Sequence, residues 1–447
     1  MKCLFKNSVI VILLYGTAIF LPSCKEEATL PVVTTAVISD ITFTSATTGG
    51  FVEDEGGAEV TAMGVCWSTG FPTIEDSKTT EGAGSGSFTS IITGLMPGTV
   101  YYVRAYAVNS AGTSYGKMQM FTTDILTAGT EKADFPGGGR SGAASFSIGA
   151  KIYSGLGYNG SSTGVRDFWE WDQATDIWTR KADYPGNSVS GAVGFSIGSK
   201  GYIGTGYTIT GGVTNEFWEY DPATDSWTEK EFLPMFAARA GAVGFSIGTK
   251  GYIGTGTGTN YDDWDGYSSY YLNDFWEWDQ STNVWTRKAD LEGSVRTNAV
   301  GFSIGTKGYI GTGFGLSENG WDSGYLRDFW EWDEATDVWT KKADIGFTGR
   351  SEAVGFSIGN KGYIGTGYGA DGSDASYLRD IWEWDLTTNE WVKKVLLAGT
   401  ARVSAFGVSV GNKGYIGTGH IYEFEEDVPF NDFWEFDPNQ LAELPVR

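Results

Sequence analysis

The chain has 447 residues, 55 acidic and 31 basic, which gives a formal net charge of −24. This charge argues against a nucleic-acid-binding protein, which needs a basic footprint, and three cysteines cannot build a disulfide framework. The single histidine, His420, excludes a multi-histidine metal centre, and an aromatic content of 15% argues against disorder. We therefore expect an ordered, acidic, glycine- and tryptophan-rich protein with more than one domain.

Residues 1–23 have the pattern of a secretory signal. A basic start precedes an apolar run that extends from Val9 to Leu21 and is too short to predict a transmembrane helix. The run ends at Leu21-Pro22-Ser23-Cys24, which resembles a bacterial lipobox, although Pro22 departs from its usual small or aliphatic residue. The resemblance implies cleavage before Cys24 and diacylation of its thiol. The alternative is an ordinary secreted protein in which Cys24 is incidental.

Residues 24–28 are predicted to be a tether. Lys25-Glu26-Glu27 follows the cysteine directly, and this resembles the surface-export signal of Bacteroidota lipoproteins; a solvated charged linker is the alternative. Two or more acyl chains make membrane anchoring stable. We therefore expect an outer-membrane lipoprotein on the cell surface, with a periplasm-facing orientation as the alternative.

Residues 29–123 are predicted to form a β-sandwich. Short alternating strands such as Gly64–Ser68 and Tyr101–Val108 are separated by Gly-Gly and Pro-Gly turns. The segment 95–112 resembles the penultimate strand of a fibronectin type III domain, which implies a spacer or a binding module. Cys66 lies within a strand beside Trp67, and we interpret it as a buried small side chain rather than a nucleophile.

The remainder of the chain is a repeat. Six Ser-Ile/Val-Gly triplets, the first at Ser147 and the last at Ser409, recur every 49 to 57 residues. Each precedes a Gly-Tyr-Ile-Gly-Thr-Gly stretch or a variant, then a variable segment, then Asp-Phe-Trp-Glu-Trp-Asp or a variant. Four strand-like stretches, A to D, in a repeat of about 50 residues are typical of a β-propeller blade.

The pattern resembles the kelch family. The residues that carry the resemblance are the glycine pair that ends strand B, the aromatic residues of strand C and a tryptophan nine positions after the first one in C, as in Trp276 and Trp285. One departure is Gly-Thr-Gly where kelch units usually have Gly-Gly. The resemblance covers residues 129 to about 440 and implies a six-bladed propeller.

The sixth repeat has Glu443 where the tryptophan of strand D is expected. Residues 129–134 match the D strand of the first repeat at four of six positions. We therefore predict that 129–134 supply the outer strand of the last blade. The propeller then spans 129–447, and 124–128 are the linker.

The loops between strands B and C are the first candidate site. They vary from 10 residues in blades one and two to 18 in blade three, and variable loops on a repeated scaffold commonly carry specificity. Aromatic faces beside carboxylates suit sugars, and they also suit a basic peptide. Solvated acidic loops with aromatic residues packed on neighbouring blades are the alternative. The candidate residues are Tyr261, Asp263, Trp264, Asp265, Trp321, Asp322, Asp371 and Asp374.

Five arginines that precede strand A are the second candidate. They could bind an anionic group with bidentate forks, or they could pair with the acid that opens strand C, and we favour the pairing. They are Arg140, Arg239, Arg296, Arg350 and Arg402, with Val189 at this position in blade two.

These features favour a surface-anchored module that binds a glycan or a protein. Kelch propellers also include a copper oxidase, which a propeller with no cysteine and one histidine cannot form, and sialic acid mutarotases, which need acid/base groups and an arginine. The mutarotase is the alternative function, although no residue pair is singled out for catalysis. We expect no cofactor and no metal, because Asp263-x-Asp265 and Asp371-x-x-Asp374 lack a full calcium-loop pattern. The expected partners are the ligand and the membrane, and not nucleic acid.

Overall fold

The structure is a computed structural model. It describes residues 27–439 except 162–163, 263–265, 317–321, 347–348, 372–373 and 424–425, and gives the backbone alone at 260–262, 266–268, 370–371 and 374. The regular structure of these residues is β-strand, apart from a 3-10 turn at Met235–Ala237. None of their helical segments is long and apolar enough to cross a membrane. The predicted signal peptide and Cys24 lie outside the described residues.

The chain divides into two compact units at about residue 122, and the first is a β-sandwich. One sheet has the order β1-β2-β5, and the other has β4-β3-β6-β7 with β8 also paired to β6. Inward side chains of both sheets, including Val52, Met63 and Ala105, form its core. The strands are β1 (Val32–Thr35), β2 (Ser45–Asp54), β3 (Ala62–Ser68), β4 (Ser77–Lys78), β5 (Gly86–Thr93), β6 (Val100–Asn109), β7 (Gly112–Tyr115) and β8 (Gln119–Thr122).

Cys66 lies inside this sandwich. Its side chain is fully buried, and its thiol hydrogen-bonds to the backbone carbonyl of Arg104 at 3.7 Å. Burial raises the pKa of the Cys66 thiol, so little reactive thiolate forms near neutral pH.

The second unit is a six-bladed β-propeller, so the predicted all-β fold is confirmed. Each blade is an antiparallel sheet with strands A, B, C and D from the axis outwards. The strands of blades one to three are β11 (Ala144–Ile148), β12 (Lys151–Gly155), β13 (Phe168–Asp172) and β14 (Ile177–Lys181); β16 (Val193–Ile197), β17 (Lys200–Gly204), β19 (Phe217–Asp221) and β20 (Ser226–Glu229); and β21 (Val243–Ile247), β22 (Lys250–Gly254), β25 (Phe275–Asp279) and β26 (Val284–Lys288).

Blades four to six continue the pattern, and blade six takes its D strand from the start of the unit. The strands are β28 (Val300–Ile304), β29 (Lys307–Gly311), β32 (Phe329–Asp333) and β33 (Val338–Lys341); β35 (Val354–Ile358), β36 (Lys361–Gly365), β39 (Asp380–Asp385) and β40 (Glu390–Leu397); and β41 (Phe406–Val410), β42 (Lys413–Gly417), β45 (Phe433–Phe436) and β10 (Thr130–Lys132).

One further short strand, β9 (Thr127–Ala128), joins the outer edge of the blade-five sheet. The other short strands lie outside the blade sheets: β15 (Val189–Ser190), β18 (Tyr207–Thr208), β23 (Thr257–Asp262), β24 (Gly266–Tyr271), β27 (Arg296–Thr297), β30 (Phe314–Leu316), β31 (Ser323–Tyr325), β34 (Gly349–Ser351), β37 (Tyr368–Asp371), β38 (Asp374–Tyr377), β43 (His420–Glu423) and β44 (Glu426–Pro429).

Tryptophans of the D strands fasten neighbouring blades together. The indole N–H of Trp178 donates to the carbonyl of Ala133 in the segment that leaves the preceding blade, at 2.8 Å. Trp227, Trp285, Trp339 and Trp391 repeat this bond at 2.7 to 3.0 Å. A polar side chain in the C–D turn, such as Asp176, accepts the N–H of the same alanine. Five of the six seams between blades therefore share one set of contacts.

The sixth seam, between blades five and six, is made differently. Strand β10 pairs with β45 of blade six and carries no tryptophan. Strand β9 instead pairs in parallel with β40 of blade five, and the N–H of Ala398 donates to the carbonyl of Ala128 at 2.9 Å. The segment 124–128 is therefore not a plain linker, because Leu126 and Ala128 pack against blade five.

The residue that directly follows strand B is left-handed in every blade. It is threonine in five blades, with φ between 57° and 63°, and Leu156 in blade one. The Thr255 hydroxyl is buried and has no hydrogen-bond partner among the described residues. This corner therefore gains its structure from the backbone, and the hydroxyl adds no hydrogen bond.

We expect Thr255→Val to leave the free energy of unfolding unchanged or to raise it by up to about 1 kcal/mol, because it removes an unsatisfied buried hydroxyl from a β-branched side chain. Urea unfolding followed by tryptophan fluorescence measures this, since every tryptophan except Trp67 belongs to the repeat. Ser246→Ala is the control, because the Ser246 hydroxyl donates to the carbonyl of Ser196 at 2.7 Å and its loss should destabilise. Equal destabilisation by both substitutions would contradict the expectation.

Candidate functional site

The topology assigns the loops to two faces. Strand A runs towards the A–B turn and strand B returns, so the segments that precede A lie at the same end as the segments that follow B. This end is called the loop face below. It carries the variable B–C segments, whereas the opposite face carries short turns.

The loop face is organised around a closed ring of six backbone hydrogen bonds, called the axial ring below. The residue two positions after each arginine, or after Val189 in blade two, donates its N–H to the carbonyl of the equivalent residue in the preceding blade, at 2.8 to 3.0 Å. All six residues have φ between 52° and 62°. They are Gly142, Gly191, Gly241, Asn298, Glu352 and Ser404.

The axial ring surrounds the opening of the central channel, called the mouth below. The cavity there has a volume of about 140 Å³ and is lined by the six ring residues and the alanine that follows each of them. Three neighbouring blades contribute glycine, whereas the other three contribute Asn298, Glu352 and Ser404. The Ser404 hydroxyl donates to the Glu352 carboxylate. The mouth therefore has one side without side chains and one polar side.

The five arginines proposed as anion ligands form buried ion pairs instead. The Arg239 guanidinium is fully buried and donates to both carboxylate oxygens of Asp274, at 2.8 and 2.7 Å, and to the carbonyl of Thr255 at 2.9 Å. The equivalent pairs are Arg140–Asp167, Arg296–Asp328, Arg350–Asp380 and Arg402–Asp432. The ligand-binding interpretation of Arg140, Arg239, Arg296, Arg350 and Arg402 therefore does not fit, because their donors are turned inwards to neutralise the acid that opens strand C.

Blade two lacks this ion pair. Val189 replaces the arginine, and Glu216 replaces the aspartate. The Glu216 carboxylate accepts the backbone N–H of Asn187 at 2.9 Å and its side-chain amide at 2.7 Å. The sequence signals this difference directly, because Val189 is the one break in the arginine series.

The B–C segments of blades three to six rise as two-stranded hairpins, called the rim hairpins below: β23–β24, β30–β31, β37–β38 and β43–β44. Aromatic rings connect the first three through contacts of 4.9 to 6.1 Å between centroids, in the series Tyr271, Phe314, Tyr325, Tyr368 and Tyr377. The Tyr377 hydroxyl then accepts the N–H of Tyr422 on the fourth hairpin at 2.8 Å. These contacts make the rim hairpins one wall.

Most loop candidates from the sequence fall where their side chains are not described. Asp263, Trp264, Asp265 and Trp321 lie outside the described residues, and Tyr261, Asp371 and Asp374 have a described backbone alone, in β23, β37 and β38. Asp322 is exposed, directly before β31. In the part of the chain that can be searched, no three His, Cys, Asp or Glu side chains are grouped as a metal site.

The rim wall stops at blades one and two, where the B–C segments are short. This leaves a cavity of about 430 Å³, called the notch below. Its lining includes Tyr158 and Ile209, which are 45% and 53% exposed, together with Tyr207, Ser188, Ser190 and Thr208. Among the residues that the structure describes, none that lines the notch is charged. Because Ser190 precedes Gly191 of the axial ring, the notch adjoins the glycine side of the mouth.

Sequence analysis missed the mouth and the notch. The signal for the mouth was present, since Asn298, Glu352 and Ser404 stand where the first three repeats have glycine. The notch had a weaker signal, the short B–C segments of blades one and two.

Comparison with known proteins supports the fold. No protein-family model matches the chain, and no curated protein matches it. The solved structure entitled "Structure of YjhT" is similar, with a TM-score of 0.56 and 19% sequence identity over 67% of this chain and 95% of that chain. YjhT is a β-propeller. The protein is therefore a sandwich followed by a six-bladed propeller, and at this identity the similarity describes the fold alone.

We expect Arg239→Val to lower the free energy of unfolding by about 3–5 kcal/mol, because it leaves the Asp274 carboxylate buried without its partner. Glu216→Gln in blade two is the matched control and should cost about 1 kcal/mol or less, since a hydrogen-bonded amide replaces an acid that has no arginine. Urea unfolding followed by tryptophan fluorescence measures both. If the two variants lost the same free energy of unfolding, the arginine–aspartate pair would not contribute the stability assigned to it.

The ion pairs also predict how stability depends on pH. Burial acts to raise the pKa of the Asp167, Asp274, Asp328, Asp380 and Asp432 carboxyls, but the hydrogen bonds and charge of the paired arginines outweigh it and hold each pKa below the ordinary value of 3.8. The unfolded chain therefore binds these protons more readily. Stability should be fully present above about pH 4 and decline as pH falls further.

Urea midpoints measured between pH 7 and pH 2 test this expectation. The double variant Arg239→Val/Asp274→Asn removes one of the five titrating pairs, so its midpoint should fall less steeply below pH 4 than that of the parent protein. An identical slope in the two proteins would contradict the assignment.

Proposed function

We propose that this protein is a binding module whose loop face takes a glycan, with one end of the ligand in the notch. The observation that carries this proposal is the composition of the notch, in which exposed apolar surface from Tyr158 and Ile209 lies beside hydroxyl groups and no charge. The C–H face of a sugar ring packs on an aromatic ring, while its hydroxyls exchange hydrogen bonds with serine and threonine. A volume of about 430 Å³ lies within the range of small-ligand pockets.

The surroundings fit an elongated ligand. The rim hairpins form a raised edge along blades three to six, whereas the loop face is open at blades one and two. A chain can therefore enter over the notch and extend towards the mouth. The sequence candidates Tyr261, Asp263, Trp264, Asp265, Trp321, Asp322, Asp371 and Asp374 belong to the B–C segments of blades three to five, and we propose them as secondary contacts along the wall.

We further propose that the protein is an outer-membrane lipoprotein exposed on the cell surface, with Cys24 as the lipidated residue and the sandwich as a fibronectin type III-like spacer. The support is the Leu-Pro-Ser-Cys sequence followed by Lys-Glu-Glu. Mass spectrometry of the membrane fraction, and protease accessibility of intact cells, would test the lipid and the exposure separately.

A protein ligand and a kelch-type sugar mutarotase are the alternatives. The mutarotase has less support, because the arginines that could hold an acidic sugar are committed to aspartates. One feature favours the mutarotase: the Glu352 carboxylate at the mouth could exchange a proton with a sugar hydroxyl.

A glycan array followed by calorimetry tests the proposal. Tyr158→Ala should weaken binding of the best glycan about tenfold or more, because it removes the aromatic platform. Ile177→Ala is the control, since Ile177 is 58% exposed at the C–D turn on the opposite face and should leave affinity unchanged. Unchanged affinity in Tyr158→Ala would show that the notch is not the binding site. Trp264→Ala and Trp321→Ala would then test whether the ligand binds at the B–C segments of blades three and four instead. Sugar anomerisation above background without saturable binding would favour the mutarotase.

A further inference from the structure

The polar side of the mouth breaks the symmetry of the repeat. Every blade needs a left-handed residue in the axial ring, and glycine meets this need without strain. Gly142, Gly191 and Gly241 follow that rule, whereas blades four to six have Asn298, Glu352 and Ser404 with φ of 52°, 55° and 52°. Asparagine tolerates this conformation, but for glutamate it costs about 1–2 kcal/mol. Strain of this kind at a cavity points to a role beyond folding.

The three polar side chains offer oxygen acceptors to one cavity. Glu352 contributes a carboxylate, Ser404 a hydroxyl that already donates to that carboxylate, and Asn298 an amide oxygen. The Ser404 oxygen keeps its lone pairs for a second donor, because its own hydrogen is engaged by Glu352. A group with several N–H donors and a positive charge is the natural complement of this set.

The charge of the surroundings also favours a cationic ligand. The described residues that line the mouth include one acid, Glu352, and no lysine, arginine or histidine, and those that line the notch carry no charge. The described part of the chain gives Glu352 no ion pair among its salt bridges. The whole chain carries a net charge of −24, so the field over the face attracts cations and repels anions.

We propose that the mouth is a binding subsite for a cationic group, the ammonium of an amino sugar, held between Glu352, Asn298 and Ser404. This inference rests on the proposed glycan function and narrows it to glycans that carry a free amine. One sugar ring of the chain packs in the notch on Tyr158, and a neighbouring ring, over the glycine side of the axial ring, presents its ammonium to the carboxylate. The same charges disfavour acidic glycans.

The test compares three tetrasaccharides by calorimetry on the detergent-solubilised full-length protein: β-1,4-linked glucosamine, its N-acetylated counterpart and α-1,4-linked galacturonate. We expect the glucosamine tetramer to bind about tenfold tighter than the N-acetylated one, and the galacturonate tetramer to bind weakest. Glu352→Gln should remove the tenfold difference while leaving affinity for the N-acetylated tetramer within about twofold. The difference should also shrink as salt is raised, because it is an ion pair near the surface.

One control distinguishes a specific contact with Glu352 from nonspecific electrostatic attraction. The other distinguishes loss of the preference from loss of the fold. Glu423→Gln removes the same charge from an exposed position on the fourth rim hairpin and should preserve the preference. Glu352→Gly restores the residue of the first three blades, so it should unfold at the parent temperature or above while losing the preference. A preference that persists in Glu352→Gln, or that disappears equally in Glu423→Gln, would overturn the proposal.

The outcomes also distinguish this inference from the function on which it rests. Equal, Tyr158-dependent binding of the glucosamine and N-acetylated tetramers would overturn the ammonium subsite and leave the glycan module standing. Failure of all three tetramers and of the glycan array would overturn both.

Discussion

The axial ring is the constraint on which the rest of this propeller depends. Six N–H groups donate to six carbonyls in a closed circle, and each donor residue must be left-handed for its amide to reach the neighbouring blade. The requirement fixes the start of every A strand at the same height around the axis. It also explains why the residue at this position is followed by alanine in all six blades, since a larger side chain would obstruct the channel.

The other recurring contacts hold the ring segment in place. The arginine two residues before the ring residue is buried against the aspartate that opens strand C. Its backbone carbonyl also accepts the N–H of the glycine two positions after strand B of the preceding blade, as Arg239 does from Gly206. Tryptophans of the D strands then fasten the outer edges of five seams. Strand β9 performs the same task at the sixth seam, where ring closure from the N-terminal end leaves no tryptophan available.

Much of the fold was predictable because a repeated core leaves a repeated sequence. The blade period, the four strands and the choice between ligand-binding and paired arginines all follow from residues that recur in register. The candidate site was less predictable, since function resides in departures from the repeat. Glu352 and Val189 are visible as departures, but their position at the mouth and beside the notch depends on six blades meeting around an axis.

The sequence by itself determined the fold class, because glycine, tryptophan and alternating apolar residues at fixed spacing allow few ways to bury their side chains. It also determined the acidic character of the protein, which favours neutral and cationic ligands over anionic ones. Tertiary structure alone decided which polar residues face solvent. The sequence favours pairing of the five arginines with the acids that open strand C, but only closure of the propeller buries each one against an aspartate that lies 27 to 35 residues later. The same closure brings Asn298, Glu352 and Ser404, which are more than 50 residues apart in sequence, to one side of a single cavity.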